Sequence, residues 1–215
     1  MSAIIAFDSD PVLYDDWFLK NRGVYQAELN ALKRAVPELG VGFEIGVGTG
    51  RFAQPLGIKM GLDPSQGMIQ IARGRGVSVC RGWGEFLPVR DRSLDFVVVV
   101  TVLCFVDNLT RLFSEVHRVL KPGGKIVVAM IDKDTPLGRV YSDKKAGNRF
   151  YSTASFRSVS SVSQLLVDLG FGKLGYLQTI FNFHEDLSVV DPVREGFGEG
   201  VFVVIQGFKN LADSN

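Results

Sequence analysis

Residues 41–50 read Val-Gly-Phe-Glu-Ile-Gly-Val-Gly-Thr-Gly, a short apolar run entering three glycines at alternate positions. Few architectures use such a segment. The apolar residues predict a strand from Val41 to Ile45, and the glycines permit a tight turn at which another molecule can meet bare backbone. A helix placed after such a turn directs its first N–H groups at the same spot and favours an anion there. The chain then repeats the theme. Ile58 to Leu62 predicts a second strand ending at Asp63-Pro64, and Ser65 to Arg73 a helix with Met68, Ile69 and Ala72 inward. Val77 to Cys80 is a third strand. Leu94 to Val100 is a fourth, whose unbroken valines suit a central parallel strand covered on both faces. Leu109, Leu112, Phe113, Val116, Val119 and Leu120 form one helical stripe, closed by Lys121-Pro122-Gly123-Gly124 before a fifth strand, Lys125 to Met130.

Alternating strands and helices imply an α/β fold of the Rossmann-like, doubly wound kind. The expectation is a mostly parallel seven-stranded sheet with an antiparallel C-terminal strand and helices on both faces. A single domain is expected over 1–215. Residues 1–40 read as an N-terminal helical cover, with one helix carrying Leu13, Tyr14, Trp17 and Phe18, and a second over about 24–36 that Pro37 ends. Residues 41–130 form the ligand-binding half. Residues 131–215 supply a long polar loop (Asp132 to Ser155), a helix capped by Ser158, and two strands near 174–182 and 201–207 without a helix between them. The first crossover, around Arg51 to Gln54, has room only for a turn or two.

A formal net charge of +1 offers no basic field for nucleic acid. The longest apolar run, Phe96 to Val106, is far too short to span a membrane. Cys80 and Cys104 sit in or beside apolar runs outside any CxxC pair, which suits reduced thiols and a cytoplasmic location. No His/Cys/Asp cluster has metal-ligand spacing, so no metal is expected.

The glycines run GxGxG, not GxGxxG, and Glu44 precedes the first by two residues. A carboxylate there would repel a pyrophosphate and suit a cationic group; a local hydrogen bond at the strand end is its plain structural role. Asp63, at the end of strand two, stands where doubly wound folds reach ribose hydroxyls, and it also precedes a helix it can cap. Further on come Gly84-Glu85-Phe86-Leu87-Pro88, Ser93-Leu94-Asp95-Phe96 and Arg118-Val119-Leu120-Lys121-Pro122-Gly123-Gly124. In this order and spacing the motifs resemble the class I S-adenosylmethionine-dependent methyltransferases, type 11 branch, over about residues 41–130.

The resemblance implies S-adenosylmethionine as methyl donor and S-adenosylhomocysteine as product. It implies that Gly46, Val47 and Gly48 hold the methionine part, Glu44 orients its amino group, and Asp63 binds ribose with Pro64 and Met68 beside it. Gly84 and Glu85 would border the adenine, and Thr101 would face the donor methionine. Many relatives carry an acid where Trp83 stands; an indole cannot accept the hydrogen bond that such an acid takes from the adenine amino group.

Methyl transfer is an in-line displacement at an activated sulfonium, so alignment and water exclusion carry much of it and no dedicated acid or base is required. The implied acceptor is a small molecule, with Tyr14, Trp17, Cys104, Phe105 and His184 as candidate contacts, in a monomer or homodimer. Two other readings fit parts of the pattern: a non-catalytic S-adenosylmethionine-binding regulatory module, and an NAD(P)-dependent oxidoreductase.

Overall fold

A computed structural model describes residues 2–211. Its strands are β1 (Gly42–Ile45), β2 (Met60–Asp63), β3 (Ser78–Arg81), β4 (Leu94–Val100), β5 (Leu120–Ile131), β6 (Phe171–Thr179), β7 (Arg194–Glu195) and β8 (Phe202–Lys209). They form one sheet in the order β3-β2-β1-β4-β5-β8-β6-β7. Pairing is parallel from β3 through β5, and β8 lies antiparallel between β5 and β6. The seven expected strands are all present. β7 is an addition: two residues paired to Leu177 and Gln178, too short to show any period in the sequence.

The helices are α1 (Ser2–Ser9), α2 (Pro11–Lys20), α3 (Arg22–Ala35), α4 (Gln66–Gly74), α5 (Leu109–Val119), α6 (Pro136–Lys144) and α7 (Val159–Asp168). They cover both faces of the sheet. On one side Ala27, Ala31, Leu32 and Ala35 of α3 meet Val98, Val127 and Val204; on the other Leu112, Phe113 and Val116 of α5 meet Val97, Val99 and Val128. Val97, Val98 and Val99 have no exposure at all, as a strand sandwiched between two helical layers requires. Each fully buried aliphatic or aromatic side chain of α5 contributes about 1.5–3 kcal/mol of transfer free energy. Among the described residues no helix is long and apolar enough to cross a membrane.

Local chemistry altered several expected details. Ser65, not Asp63, caps α4 by accepting from the Met68 N–H at 3.2 Å. Asp10 does not cap α2 with its side chain; it pairs with Arg149 instead. The glycine turn leads into hydrogen-bonded turns over 51–57 and no regular helix, because β2 begins only ten residues after Gly50. The stretch expected as an open loop after β5 folds in part into α6, whose Thr135 cap accepts from the Gly138 N–H at 3.1 Å. Lys121-Pro122-Gly123-Gly124 is a bulge within β5: Leu120 pairs with Leu94 and the register resumes at Lys125 with Phe96. His117 turns toward the β6 side and meets the Phe171 ring edge-on at 5.4 Å.

Candidate active site

The order of strands reverses between β1 and β4, and α/β proteins place ligands outside the carboxyl ends of strands at such a point. Two segments meet there. After β1, Gly46, Gly48 and Gly50 all have positive φ. A Cβ on Gly46 would stand 2.2 Å from Val102 Cγ2, so that position admits only hydrogen. Gly48 is different: a Cβ there would meet only Tyr14 Cε1, at 3.8 Å, and its backbone lies open toward the ring. After β4, Thr101 adopts φ +53°, a left-handed conformation costly for a β-branched residue. Its N–H is held by Ala129 O at 2.8 Å.

The N–H groups of the glycine turn are used internally. Gly46 and Val47 donate to Leu62 O, Gly50 to Val47 O, and Gly48 to Asp63 Oδ2 at 2.9 Å. The turn therefore presents a bare surface and not the row of free donors that an anion cradle needs. Asp63 Oδ1 accepts from Ser65 N–H, also at 2.9 Å, so this carboxyl ties the two loops together. Burial pushes its pKa up to about 6 against those two hydrogen bonds.

Gly46, Gly48, Asp63, Pro64, Ser65, Met68 and Thr101 line a cavity of about 100 Å³, whose roof is Ile4 and Phe7 of α1, Tyr14 of α2, Phe105 and Tyr151. Asp8 fixes the roof: its Oδ1 accepts from Ser65 Oγ at 2.8 Å and from Gly67 N–H at 2.9 Å. Asp15 fixes α2 to the glycine turn, accepting from Thr49 Oγ1 (2.6 Å), Arg51 Nε (2.9 Å) and Arg75 Nη2 (2.6 Å). Burial would raise the Asp15 carboxyl, but these hydrogen bonds outweigh it and hold it well below the usual range. A recess on the other side of the turn is lined by Glu44, Val47, Arg51 and Phe52. Glu44 is almost fully buried, and its Oε2 has no hydrogen-bond partner. Burial and the neighbouring Asp63 push this carboxyl well above the ordinary range.

A second cavity, about 260 Å³, opens on the far side of Tyr14, Thr101 and Tyr151, which line both. Its walls come from α2 and α3, from the segment around Tyr141 to Phe156, and from residues 180–191. His184 Nε2 lies 3.0 Å from Asp191 Oδ1, and Asp191 Oδ2 accepts from Phe181 N–H at 2.8 Å. Glu28 of α3 faces this cavity while only 6% exposed.

Eight of the residues expected around the donor, namely Glu44, Gly46, Val47, Gly48, Asp63, Pro64, Met68 and Thr101, line the smaller cavity or its recess. Gly84 and Glu85, expected at the adenine, line neither, and nothing in the cavity lining gives them a place beside the donor. Gly84 is packed against Ile45 and Leu112, where a Cβ would stand 2.5 Å from Leu112 Cδ1. Trp83 is 45% exposed, hence not a core residue, and also stands outside the cavity walls. Of the acceptor candidates, Tyr14, Trp17 and His184 line the larger cavity. Phe105 lines the smaller one. Cys104 lines only a narrow cleft between Thr101 and Arg157; its thiol donates to Thr101 O and burial pushes its pKa up to about 12, the opposite of an activated nucleophile. Glu28, Asp8, Asp15, Tyr151 and Asp191 were not foreseen. Asp8 and Asp15 lie in a region read only for its apolar stripe, and a lone Glu among the alanines of α3 was the one visible signal for Glu28.

The chemistry of the smaller cavity fits a ligand carrying a cation beside a hydroxylated adenosyl group. An unpartnered carboxylate oxygen of Glu44 faces the recess, the Gly48 backbone is uncovered, and Asp63 borders the cavity with lone pairs to spare.

A sheet of this order, with the ligand cavity at its switch point, defines a Rossmann-like methyltransferase fold. The methyltransferase domain family matches residues 43–128. The chain is 45% identical over 203 residues to an uncharacterized protein of Methanocaldococcus jannaschii, covering 94% of this chain and 98% of that one. It is similar in structure to a Thermotoga maritima protein described as an S-adenosylmethionine-dependent methyltransferase and possible histamine N-methyltransferase, with a TM-score of 0.91 and 45% identity over 95% of this chain and 99% of that one. It is 27% identical over 181 residues to the malonyl-[acyl-carrier protein] O-methyltransferase of Methylococcus capsulatus, covering 79% of this chain and 66% of that protein. The chain belongs to the S-adenosylmethionine-dependent methyltransferases, and S-adenosylmethionine is its methyl donor.

Proposed function

We propose that the chain is a single-domain cytoplasmic enzyme that methylates a small molecule held in the larger cavity, with the donor in the smaller one. The observation that carries this reading is the shared wall: Tyr14, Thr101 and Tyr151 border both cavities, so a donor methyl and an acceptor atom can be brought together there. In this reading Glu44 takes the ammonium of the donor methionine through its unpartnered Oε2. Arg51, on the same recess, faces the donor carboxylate. Asp63 accepts from ribose, and Pro64 and Met68 flank the sugar and base. The donor supplies an activated methyl group. The protein's own part is to align the acceptor and exclude water, and the roof built by Phe7, Tyr14, Phe105 and Phe150, with Phe7 within 5.3 Å of each of the other three rings, serves that end.

The size of the larger cavity and the absence of Lys or Arg from its lining favour a small acceptor over a nucleic acid. Calorimetric titration with S-adenosylhomocysteine and NAD, on wild type and Asp63→Ala, tests the donor assignment. Micromolar binding of the adenosyl ligand, none of NAD, and at least tenfold weakening by the substitution are expected. Undiminished affinity in Asp63→Ala would remove Asp63 from the donor site.

A further inference from the structure

Glu28 is the least explained group in the molecule. It sits in the middle of α3 among Ala27, Leu29, Ala31 and Leu32, all turned inward. Among the described residues its carboxyl makes neither a hydrogen bond nor an ion pair. Burying a carboxyl without a partner costs several kcal/mol at neutral pH unless it stays protonated, and burial alone pushes this one up to about 8. The fold gains nothing from it that a Leu or Gln would not supply. Among the described residues the other ionisable side chains of the cavity, apart from its tyrosines, are His184, Asp186 and Asp191, and no Lys or Arg lines it. The same cavity is lined by aromatic side chains, Phe18, Tyr141 and Tyr151 among them. The phenol groups of Tyr14, Tyr141 and Tyr151 are all raised, first by their own burial and in part by the charge of Glu28, which puts its carboxyl within electrostatic reach of each. Tyr14 and Tyr151 are also two of the three residues on the wall shared with the donor cavity.

Once ionised, a carboxyl without counter-ion in a cavity partly lined by aromatic side chains is complementary to an organic ammonium. We infer that the acceptor is a small aliphatic or aryl-alkyl amine, and that Glu28 binds its ammonium group and takes its proton before methyl transfer. The inference rests on the proposed pairing of donor and acceptor cavities. In the empty cavity burial keeps Glu28 protonated, and that proton leaves to solvent as the ammonium enters. An ammonium has no lone pair to attack with; handing one proton to the now ionised Glu28 leaves a neutral amine and a neutral carboxylic acid, the form that a dry site favours over two separated charges. The amine lone pair then forms the new N–C bond while the S–C electron pair leaves with sulfur, giving a methylammonium product and a neutral thioether. On the wall of the same cavity, the His184–Asp191 pair presents a polar contact for the remainder of the acceptor.

The test uses the full chain saturated with S-adenosylhomocysteine, titrated calorimetrically with histamine and 2-phenylethylamine, and with 2-phenylethanol and phenylacetate as neutral and anionic counterparts. Release of S-adenosylhomocysteine from S-adenosylmethionine is followed with the same four compounds. The expected result is binding and methylation of at least one amine, neither of the other two, and at least a tenfold loss of amine affinity in Glu28→Gln with S-adenosylhomocysteine affinity within twofold of wild type. Retained S-adenosylhomocysteine affinity also reports that the variant is folded, and Glu28→Asp should recover part of the amine binding. Equal amine binding by wild type and Glu28→Gln, preference for the alcohol or the acid, or no amine binding by enzyme that does bind S-adenosylhomocysteine would each overturn the inference alone. Failure of S-adenosylhomocysteine itself to bind would instead overturn the donor assignment beneath it.

Discussion

The two cavities on either side of Tyr14 handle their acids in opposite ways. Around the smaller one, Asp8, Asp15 and Asp63 each spend their oxygens on nearby backbone, hydroxyl or guanidinium groups. Of the buried carboxylate oxygens among the described residues, Glu44 Oε2 is the one left over. Around the larger one, Glu28 has no hydrogen-bond or ion-pair partner among the described residues. A carboxylate satisfied by its own protein holds a shape; one left unsatisfied waits for something else or weakens the fold. The proposed donor side is thus a mould built by short polar links, and the proposed acceptor side an aromatic-lined chamber with one unsatisfied carboxyl.

The sharpest way to break this contrast is to deform the mould. Gly46→Ala forces a Cβ to within 2.2 Å of Val102 Cγ2 at a positive φ. The combined overpacking and backbone strain should cost roughly 3 kcal/mol. Calorimetry should find S-adenosylhomocysteine binding weakened at least a hundredfold, and thermal melts a clear drop. Normal affinity would mean that the glycine turn is not the mould.

A second expected effect lies in pH. The native Glu28 binds a proton up to about pH 8, whereas an unfolded glutamate releases it near its ordinary value of about 4.5. The folded state therefore holds more protons across that window, and stability falls as pH rises through it. Asp63 adds the same sign up to about pH 6. Denaturant melts from pH 5 to 8 should show wild type losing roughly 2 kcal/mol or more, and Glu28→Gln should lose markedly less. Parallel slopes would place a partner on Glu28 and erase the contrast.

The smallest effect concerns Cys104. Because burial keeps its thiol protonated at neutral pH, alkylation by iodoacetamide at pH 8 should be slow. Cys104→Ala should change stability by ~1 kcal/mol and turnover by less than twofold. A large loss of turnover would return it to the acceptor site.

The legibility of the two regions differs for the same physical reason. The donor side is made of strand ends and the turns directly after them, so Glu44, Gly46, Gly48, Asp63 and Thr101 fall where strand periodicity and glycine spacing put them. The valines of β4 and the stripe of α5 likewise carry their own burial pattern. The acceptor chamber gathers Trp17, Glu28, Tyr141 and His184 from four separate stretches, and only the folded sheet brings them together. A single Glu in an alanine-rich helix has no local signature distinguishing a solvent-facing residue from one turned inward. Expecting an open loop at 132–155 followed from its polarity, yet Thr135 and Pro136 provide the start of a helix that polarity alone hides.

Tyr14 has one further consequence. Its ring is part of the wall of each cavity, and its helix is bolted to the glycine turn through Asp15. A partition that belongs to two rooms cannot move for one tenant alone. If seating the donor steadies α2, the acceptor finds its wall already ordered, and thermodynamic reciprocity demands that the acceptor tighten the donor by the same factor. The helix at the start of the chain is then less a cover than a coupling, one that makes each ligand's affinity a report on the presence of the other.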